Sequence, residues 1–151
     1  TREGEQILFG HSLGGLFAAH ALLTRPEAFS AFIVSSPSLW WNSFAILRDV
    51  PALRDGLAEL SRRPRVFVGV GGKEEDLPTR VPEGFGITLE EAQAQIRACR
   101  MVDTAKECAD ALREAGVGDL RHIAFAEDDH TSAALGGIIH GMRFALGCDQ
   151  R

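Results

Sequence analysis

Two features that mark large classes of protein are absent from this chain of 151 residues. No apolar run approaches the roughly 18 consecutive residues of a transmembrane helix. No cluster of Lys and Arg is dense enough to suggest nucleic acid or an anionic membrane surface, and the formal net charge is −5. We therefore expect neither a nucleic-acid partner nor a membrane partner.

Cysteine is scarce, with three residues at Cys99, Cys108 and Cys148. An odd number without close spacing argues against a disulfide framework and against a metal knuckle. Cys99 and Cys108 fall on opposite faces of one predicted helix and are not expected to pair. Because buried free thiols favour a reducing compartment, we expect a cytoplasmic location rather than secretion.

The given sequence begins at Thr1 without an initiator methionine or a signal-peptide pattern, and a strand is predicted within its first few residues. This start favours an internal fragment or a trimmed sequence, so targeting signals cannot be judged from it. The length is that of one domain.

What is present is an alternation of strand and helix patterns, which predicts parallel β-α-β units in a three-layer α/β/α fold with a mostly parallel sheet. Predicted strands cover residues 6–9, 31–35, 65–70 and 121–126. Predicted helices cover residues 13–23, 51–60, 89–115 and 132–146. The longest helix has a capping box at Thr88 and Glu91 and apolar residues every three or four positions, which predicts one face packed on the sheet. Loops are predicted at 36–42 and 71–86.

A candidate nucleophile stands between the first strand and the first helix. Residues 10–14 read Gly-His-Ser-Leu-Gly and match the G-x-S-x-G pattern of a nucleophile elbow in its required strand-to-helix context. The pattern predicts a positive φ at Ser12, with Gly10 and Gly14 leaving room because they lack a Cβ. The backbone N–H of Leu13 is the expected first oxyanion donor, at a helix N-terminus that favours negative charge.

A serine hydroxyl needs a base, and the position of His130 favours it among five histidines. It falls in the loop just after the last strand, where this kind of site places its histidine. His11 lies in the elbow, where its side chain is expected to point away from the hydroxyl. The other three lie in predicted helices or strands: His20 in the first helix, His122 in the fourth strand and His140 in the last helix.

The acid that would orient His130 is expected after the third strand. The charge run there favours Glu74, and the alternatives left open are Glu75, Asp76, Asp128, Asp129, or a Ser–His dyad without an acid. Trp40 and Trp41 follow the second strand near the same edge. They are candidates for stacking on an aromatic acyl group such as a catecholate, and core packing is the alternative.

Four strings together resemble the putative-esterase family of α/β hydrolases, and within it the enterochelin-esterase-type siderophore hydrolases. They lie at residues 10–15, 36–42 (Ser-Pro-Ser-Leu-Trp-Trp-Asn), 70–74 and 129–130. The resemblance implies an α/β-hydrolase sheet and ester hydrolysis without a metal or other cofactor. It maps the nucleophile to Ser12 and the base to His130. Some family members use a Ser–His dyad, which leaves the role of Glu74 open.

The family also has an N-terminal half, with further strands and a loop that supplies the second oxyanion donor. Nothing in this chain corresponds to it. The resemblance therefore implies that residues 1–151 form a single α/β-hydrolase domain that is N-terminally truncated. The strand at 6–9 would then be an exposed edge, prone to self-association, and the site would be weakly active at best.

These observations lead to three functional hypotheses. The first is a serine-dependent carboxylic ester hydrolase that acts on a small-molecule ester, in particular a catecholate siderophore. The second is a hydrolase or acyltransferase of other acyl groups or thioesters, and the third is a non-catalytic fragment of such an enzyme.

Overall fold

A parallel sheet of four strands organises the computed structural model, which describes residues 6–84 and 86–148. In order across the sheet, the strands of this described part are β1 (Ile7–His11), β2 (Ala31–Ser35), β3 (Arg65–Gly71) and β4 (Leu120–Phe125). All neighbouring pairs are parallel. Their carboxyl ends therefore meet at one edge, and the loops that carry the candidate residues leave from it. The start at Thr1 lies outside the described residues.

Helices cover both faces of this sheet. They are α1 (Leu13–Thr24), α2 (Trp41–Asp49), α3 (Leu53–Ala58), α4 (Leu89–Cys99), α5 (Met101–Glu114) and α6 (Ala133–Ala145). On one face, Val34 and Val68 pack with α1 and α5 in the larger core. On the other face, Ile33 and Phe67 pack against Phe144 of α6. The predicted three-layer α/β/α class with a parallel sheet is confirmed.

The single helix predicted over residues 89–115 is wrong, because Arg100 adopts a left-handed conformation (φ 46°, ψ 48°) that separates α4 from α5. The side chain of Glu75 explains the break. Its Oε1 accepts hydrogen bonds from the N–H groups of Val102 (2.7 Å) and Asp103 (3.0 Å), and so caps the start of a second helix. The predicted capping box of Thr88 and Glu91 is present at the start of α4. No residue of α4 is buried, whereas α5 buries six.

The loop predicted at 36–42 is shorter than expected. The structure begins α2 at Trp41, in a segment for which the sequence predicted no helix, and residues 42–44 inside it have left-handed φ values of 52°, 53° and 59°. The helix predicted at 51–60 consists of a 3-10 turn (Val50–Ala52) followed by α3. Across the described ranges, no helix is both long and apolar enough to cross a membrane.

Candidate active site

The turn between β1 and α1 presents Ser12 at the carboxyl edge of the sheet. Ser12 has φ 59° and ψ −121°, the strained positive φ that the elbow predicts. Its backbone N–H donates to the carbonyl of Ser35 (3.0 Å), and its carbonyl accepts from Leu16 and Ser38 (3.0 Å each). The Ser12 side chain does not cap α1. Its hydroxyl is therefore left to face the site, with Leu13 in the first turn of α1, where helix N–H groups lack intrahelical partners.

Only part of the predicted glycine requirement holds. A Cβ at Gly10 would collide with the carbonyl oxygen of Gly14. A Cβ at Gly14 would meet nothing within 4 Å among the described residues, so the predicted steric need for glycine there is wrong. The close approach is at Gly15 instead, where a Cβ would come within 2.7 Å of the Ser35 carbonyl oxygen and 2.9 Å of Pro37. Gly10 and Gly15 thus let the elbow fold against itself and against β2.

The structure brings Ser12, His130 and Glu74 into one hydrogen-bonded chain. The Nε2 atom of His130 lies 3.0 Å from Ser12 Oγ, although the two residues are 118 positions apart. The Nδ1 atom of His130 lies 2.7 Å from Glu74 Oε2. Both distances are ordinary hydrogen-bond lengths. In this geometry a hydroxyl can pass its proton to an imidazole whose other nitrogen is held by a carboxylate.

Glu74 is the carboxylate that reaches His130, and its side chain is only 1% exposed. Its Oε1 accepts from Ser36 Oγ (2.5 Å) and from the backbone N–H of Gly71 (2.7 Å). Of the alternatives, Glu75 caps α5, and Asp129 accepts from two backbone N–H groups of its own turn. Asp76 lines the same cavity without a hydrogen bond to His130 among the described contacts, and Asp128 contributes its carbonyl to Lys73.

The pKa values of the pair shift in opposite directions. For Glu74, burial acts to raise the pKa, but hydrogen bonds from His130, Ser36 and Gly71 outweigh it, and the pKa lies below its ordinary value. For His130, the hydrogen bond to Glu74 raises the pKa above the ordinary value of 6.5, against the opposing effect of burial. Each partner thus favours the charged form of the other.

The other histidines lie elsewhere, except His11. Its ring contacts the ring of His130, with centroids 4.8 Å apart, and its Nδ1 lies 3.0 Å from Ser35 Oγ. Burial and the neighbouring His130 lower the pKa of His11, which favours its neutral form. As expected from sequence, His20 is in α1, His122 in β4 and His140 in α6.

A cavity of about 350 Å³ opens at Ser12. Trp40 lines it, and Ile96, Cys99 and Met101, from the α4–α5 junction, add apolar lining. The kink at Arg100 therefore shapes the cavity. Trp41 does not line it. Its side chain is 55% exposed and borders a separate groove between α1 and α2, so the two tryptophans predicted to share a role are divided between two surfaces.

The sequence did not predict the roles of three residues that contact Ser12, Glu74 or the start of α5, whose first residue lines the cavity. Ser36 contacts Glu74, Ser38 contacts Ser12 (Oγ to Oγ, 3.4 Å), and Glu75 fixes α5. Ser36 and Ser38 belong to the string at residues 36–42, in which only the tryptophans were predicted to have a role in the site. Among the described residues, no group of three or more His, Cys, Asp or Glu side chains is placed to hold a metal ion.

Comparison with known proteins places this geometry in a family. Residues 1–113 match the family model described as "Putative esterase", a range that includes Ser12 and Glu74 and ends before His130. A siderophore enterobactin esterase of Emericella nidulans is 34% identical over 141 residues, covering 90% of this chain and 46% of that protein. A siderophore triacetylfusarinine C esterase of Aspergillus fumigatus is 34% identical over 144 residues, covering 91% of this chain and 47% of that protein.

Solved structures agree with the sequence relatives. The siderophore hydrolase EstA from Aspergillus nidulans superposes with a TM-score of 0.78 at 32% identity, covering 94% of this chain and 50% of that chain. The chain spans about half the length of the curated relatives it matches. The family match over residues 1–113 and the similarity of the relatives across nine-tenths of the sequence show that this chain belongs to the esterase family of α/β hydrolases.

Proposed function

We propose that this chain carries the catalytic serine, base and acid of a hydrolase that cleaves carboxylic esters through an acyl-enzyme. The observation that carries the proposal is the continuous chain from Ser12 Oγ through His130 to the buried carboxylate of Glu74. Such a chain activates a hydroxyl that is otherwise a poor nucleophile. Family membership and the esterases among the relatives point to the same reaction.

In the first half of the proposed reaction, Ser12 transfers its proton to His130 Nε2 while its oxygen attacks the ester carbonyl. The backbone N–H of Leu13, at the N-terminus of α1, donates to the oxyanion that develops. His130 then returns the proton to the leaving alcohol. In the second half, His130 takes a proton from water while the water oxygen attacks the acyl group on Ser12, and it then returns that proton to Ser12 Oγ as the carboxylic acid leaves. Glu74 stabilises the imidazolium in both halves.

The proposed substrates are siderophore esters, because the relatives include an enterobactin esterase and a triacetylfusarinine C esterase. An aromatic side chain, Trp40, and apolar side chains from the α4–α5 junction line the same cavity as Ser12. Such a lining suits a flat aromatic acyl group such as a catecholate bound next to Ser12.

Two measurements test the proposal. A fluorophosphonate probe should label Ser12, and the label should disappear in Ser12→Ala and persist in Ser61→Ala, which removes a hydroxyl from the exposed loop before β3. Hydrolysis of enterobactin, triacetylfusarinine C and a simple aryl ester should be lost in Ser12→Ala. Turnover that survives Ser12→Ala would disprove the nucleophile, and equal rates on all three esters would disprove the substrate class.

A further inference from the structure

The segment after β2 contacts the chain of hydrogen bonds at both of its ends. Ser36 Oγ donates to Glu74 Oε1 at 2.5 Å, and Ser38 Oγ lies 3.4 Å from Ser12 Oγ. We propose that Ser38 is a positioning residue whose hydroxyl donates to the Ser12 oxygen, and that Ser36 and Ser38 together hold the nucleophile and the acid in register. The inference rests on the proposed function, since it concerns the same three residues.

The direction of the contact between the two hydroxyls follows from counting donors. An ionised Glu74 carboxylate can only accept, so His130 Nδ1 must carry its proton toward Oε2. In the neutral imidazole, Nε2 is then an acceptor only, and Ser12 must donate its single proton to it. The Ser12 oxygen therefore has lone pairs but no proton left for Ser38, and Ser38 is the donor.

Burial and backbone contacts keep Ser38 in this position. The residue is 3% exposed, and its backbone N–H also donates to the Ser12 carbonyl at 3.0 Å, so both its main chain and its side chain face the nucleophile. Ser36 is fully buried and has a left-handed φ of 39°, held by its N–H bond to the Gly69 carbonyl (2.7 Å) and by its hydroxyl on Glu74. A non-glycine residue keeps such a φ only where its surroundings impose it, as they do at functional sites.

The chemical consequence concerns the moment at which Ser12 loses its proton. With Ser38 donating to the oxygen, the Ser12 hydroxyl is directed toward His130 Nε2. When that proton moves to His130, Ser38 keeps its own proton and remains a donor to Ser12 Oγ, which carries partial negative charge until its bond to the carbonyl carbon is complete. The contact should therefore affect the chemical step more than binding, because it strengthens as charge builds up.

The variant Ser38→Ala tests this inference on the protein. We expect kcat to fall by about tenfold, as for loss of one net hydrogen bond, with KM changed less than about twofold. The rate of fluorophosphonate labelling of Ser12 should fall by the same factor, since labelling reports the nucleophile itself. Ser38→Thr retains the oxygen and should recover most of both rates. Ser61→Ala is the matched control for loss of a serine hydroxyl.

The pH dependence of kcat distinguishes the role of Ser38 from the role of Ser36. Glu74, Asp129 and His11 interact with His130, and Lys73 and Asp76 line the same cavity. Ser38→Ala changes none of these charged and titratable groups, so the midpoint of the acid limb should stay in place. Ser36→Ala removes a donor from the Glu74 carboxylate and should move that midpoint.

Three outcomes would overturn the inference. They are wild-type kcat and labelling in Ser38→Ala, failure of Ser38→Thr to recover the rates while its melting temperature matches wild type, and a shifted acid limb in Ser38→Ala. If Ser12→Ala retains activity, the proposed function itself fails. If Ser12 is essential and Ser38→Ala is silent, only the positioning role fails.

Discussion

At the scale of single residues, the imidazole of His130 has a different partner on each of its two nitrogens. Nδ1 faces a nearly fully buried carboxylate, and Nε2 faces a hydroxyl at the rim of an open cavity. The carboxylate stays ionised despite burial because three donors converge on it, from His130, Ser36 and Gly71. One nitrogen of the ring is thus held by a buried carboxylate, while the other lies beside the cavity.

The raised pKa of His130 gives a prediction for pH dependence. Only the neutral ring can accept the Ser12 proton, so kcat/KM should fall as pH drops through a midpoint above the ordinary value of 6.5. Glu74→Gln removes the main cause of the increase. The midpoint should therefore move to lower pH, while the maximal rate falls by several orders of magnitude because the tautomer is no longer enforced.

A pH–rate profile of both proteins checks this expectation, and an unchanged melting temperature shows that the variant keeps its fold. Glu75→Gln is the matched control, because it changes the neighbouring carboxylate without touching His130. A midpoint that stays in place in Glu74→Gln would mean that Glu74 does not set the pKa of His130.

The two tryptophans should differ in their effects. Trp40 lines the cavity at Ser12, and Trp41 borders the groove beside α1. Trp40→Ala should raise KM for an ester of an aromatic acid by about tenfold, the size of one lost aromatic contact, and leave an acetate ester nearly unchanged. Trp41→Ala is the comparison variant, and it should change KM for either ester less than Trp40→Ala changes KM for the aromatic ester. Equal effects of the two variants would contradict the division that the structure makes between them.

At the scale of elements, the elbow depends on glycine for two different reasons, and a matched pair of variants distinguishes them. A Cβ at Gly10 would overlap the Gly14 carbonyl oxygen, so Gly10→Ala must displace the first turn of α1 and with it Ser12. Gly14 lies in α1 with open space around it, and alanine there should stabilise the helix by about 1 kcal/mol.

Thermal unfolding measures both effects. Gly10→Ala should lower the melting temperature by several degrees, corresponding to a loss of about 1–3 kcal/mol for an overpacked position, and Gly14→Ala should leave it equal or higher. A large destabilisation by Gly14→Ala would show that its surroundings are more crowded than the described residues indicate.

The elements also show which parts of this fold the sequence predicts. The strands, the elbow and the loop carrying His130 follow from local patterns, because apolar runs and a strand-to-helix turn with glycine are encoded over a few neighbouring residues. The break at Arg100 is not local. It depends on Glu75, 27 positions before Val102, whose carboxylate starts a new helix, and apolar periodicity continues across one left-handed residue without a visible signal.

The same distinction between local and non-local contacts explains which residues of the candidate site the sequence predicted. The positions of Ser12 and His130 relative to the strands predicted their meeting, since both follow strands whose carboxyl ends share an edge. The choice among acidic residues could not be made this way, because residues 74–76 are all carboxylates after the same strand. Burial decides it. Glu74 turns inward to Ser36 and Gly71, whereas Glu75 turns to α5.

At the scale of the whole molecule, one edge of the sheet and the outer face of one helix are exposed among the described residues. Within that part of the chain, β1 pairs with β2 alone and forms an edge, and edges with free backbone groups favour pairing with another chain. The helix α6 contacts β1, and its side chains Leu135 and Ile139 are 66% and 57% exposed. Phe17 of α1 is 61% exposed.

We therefore predict that the 151-residue chain self-associates when it is studied alone, through an interface that includes the outer face of α6. The apolar area of Leu135 and Ile139 supplies the driving force, because removing such side chains from water is favourable in rough proportion to their area. Sedimentation velocity over a concentration series should show a mass that rises with concentration. The double variant Leu135→Glu/Ile139→Glu should weaken association, because two charges would have to be desolvated at the interface.

Leu77→Glu is the matched control, since Leu77 is an exposed leucine (40%) that belongs to the loop after β3 and not to α6. It should leave the association unchanged, and all three proteins should keep the same melting temperature at low concentration because the substituted side chains are exposed. A wild-type chain that remains monomeric at every concentration would refute the prediction. If association persists in the α6 variant, the edge of β1 alone holds the copies together. Because the Ser12 N–H donates to β2 and N–H groups alternate along a strand, the Ile7 N–H faces the free side of β1. A proline introduced at Ile7 should then weaken the association, because proline cannot donate to a ladder of strands.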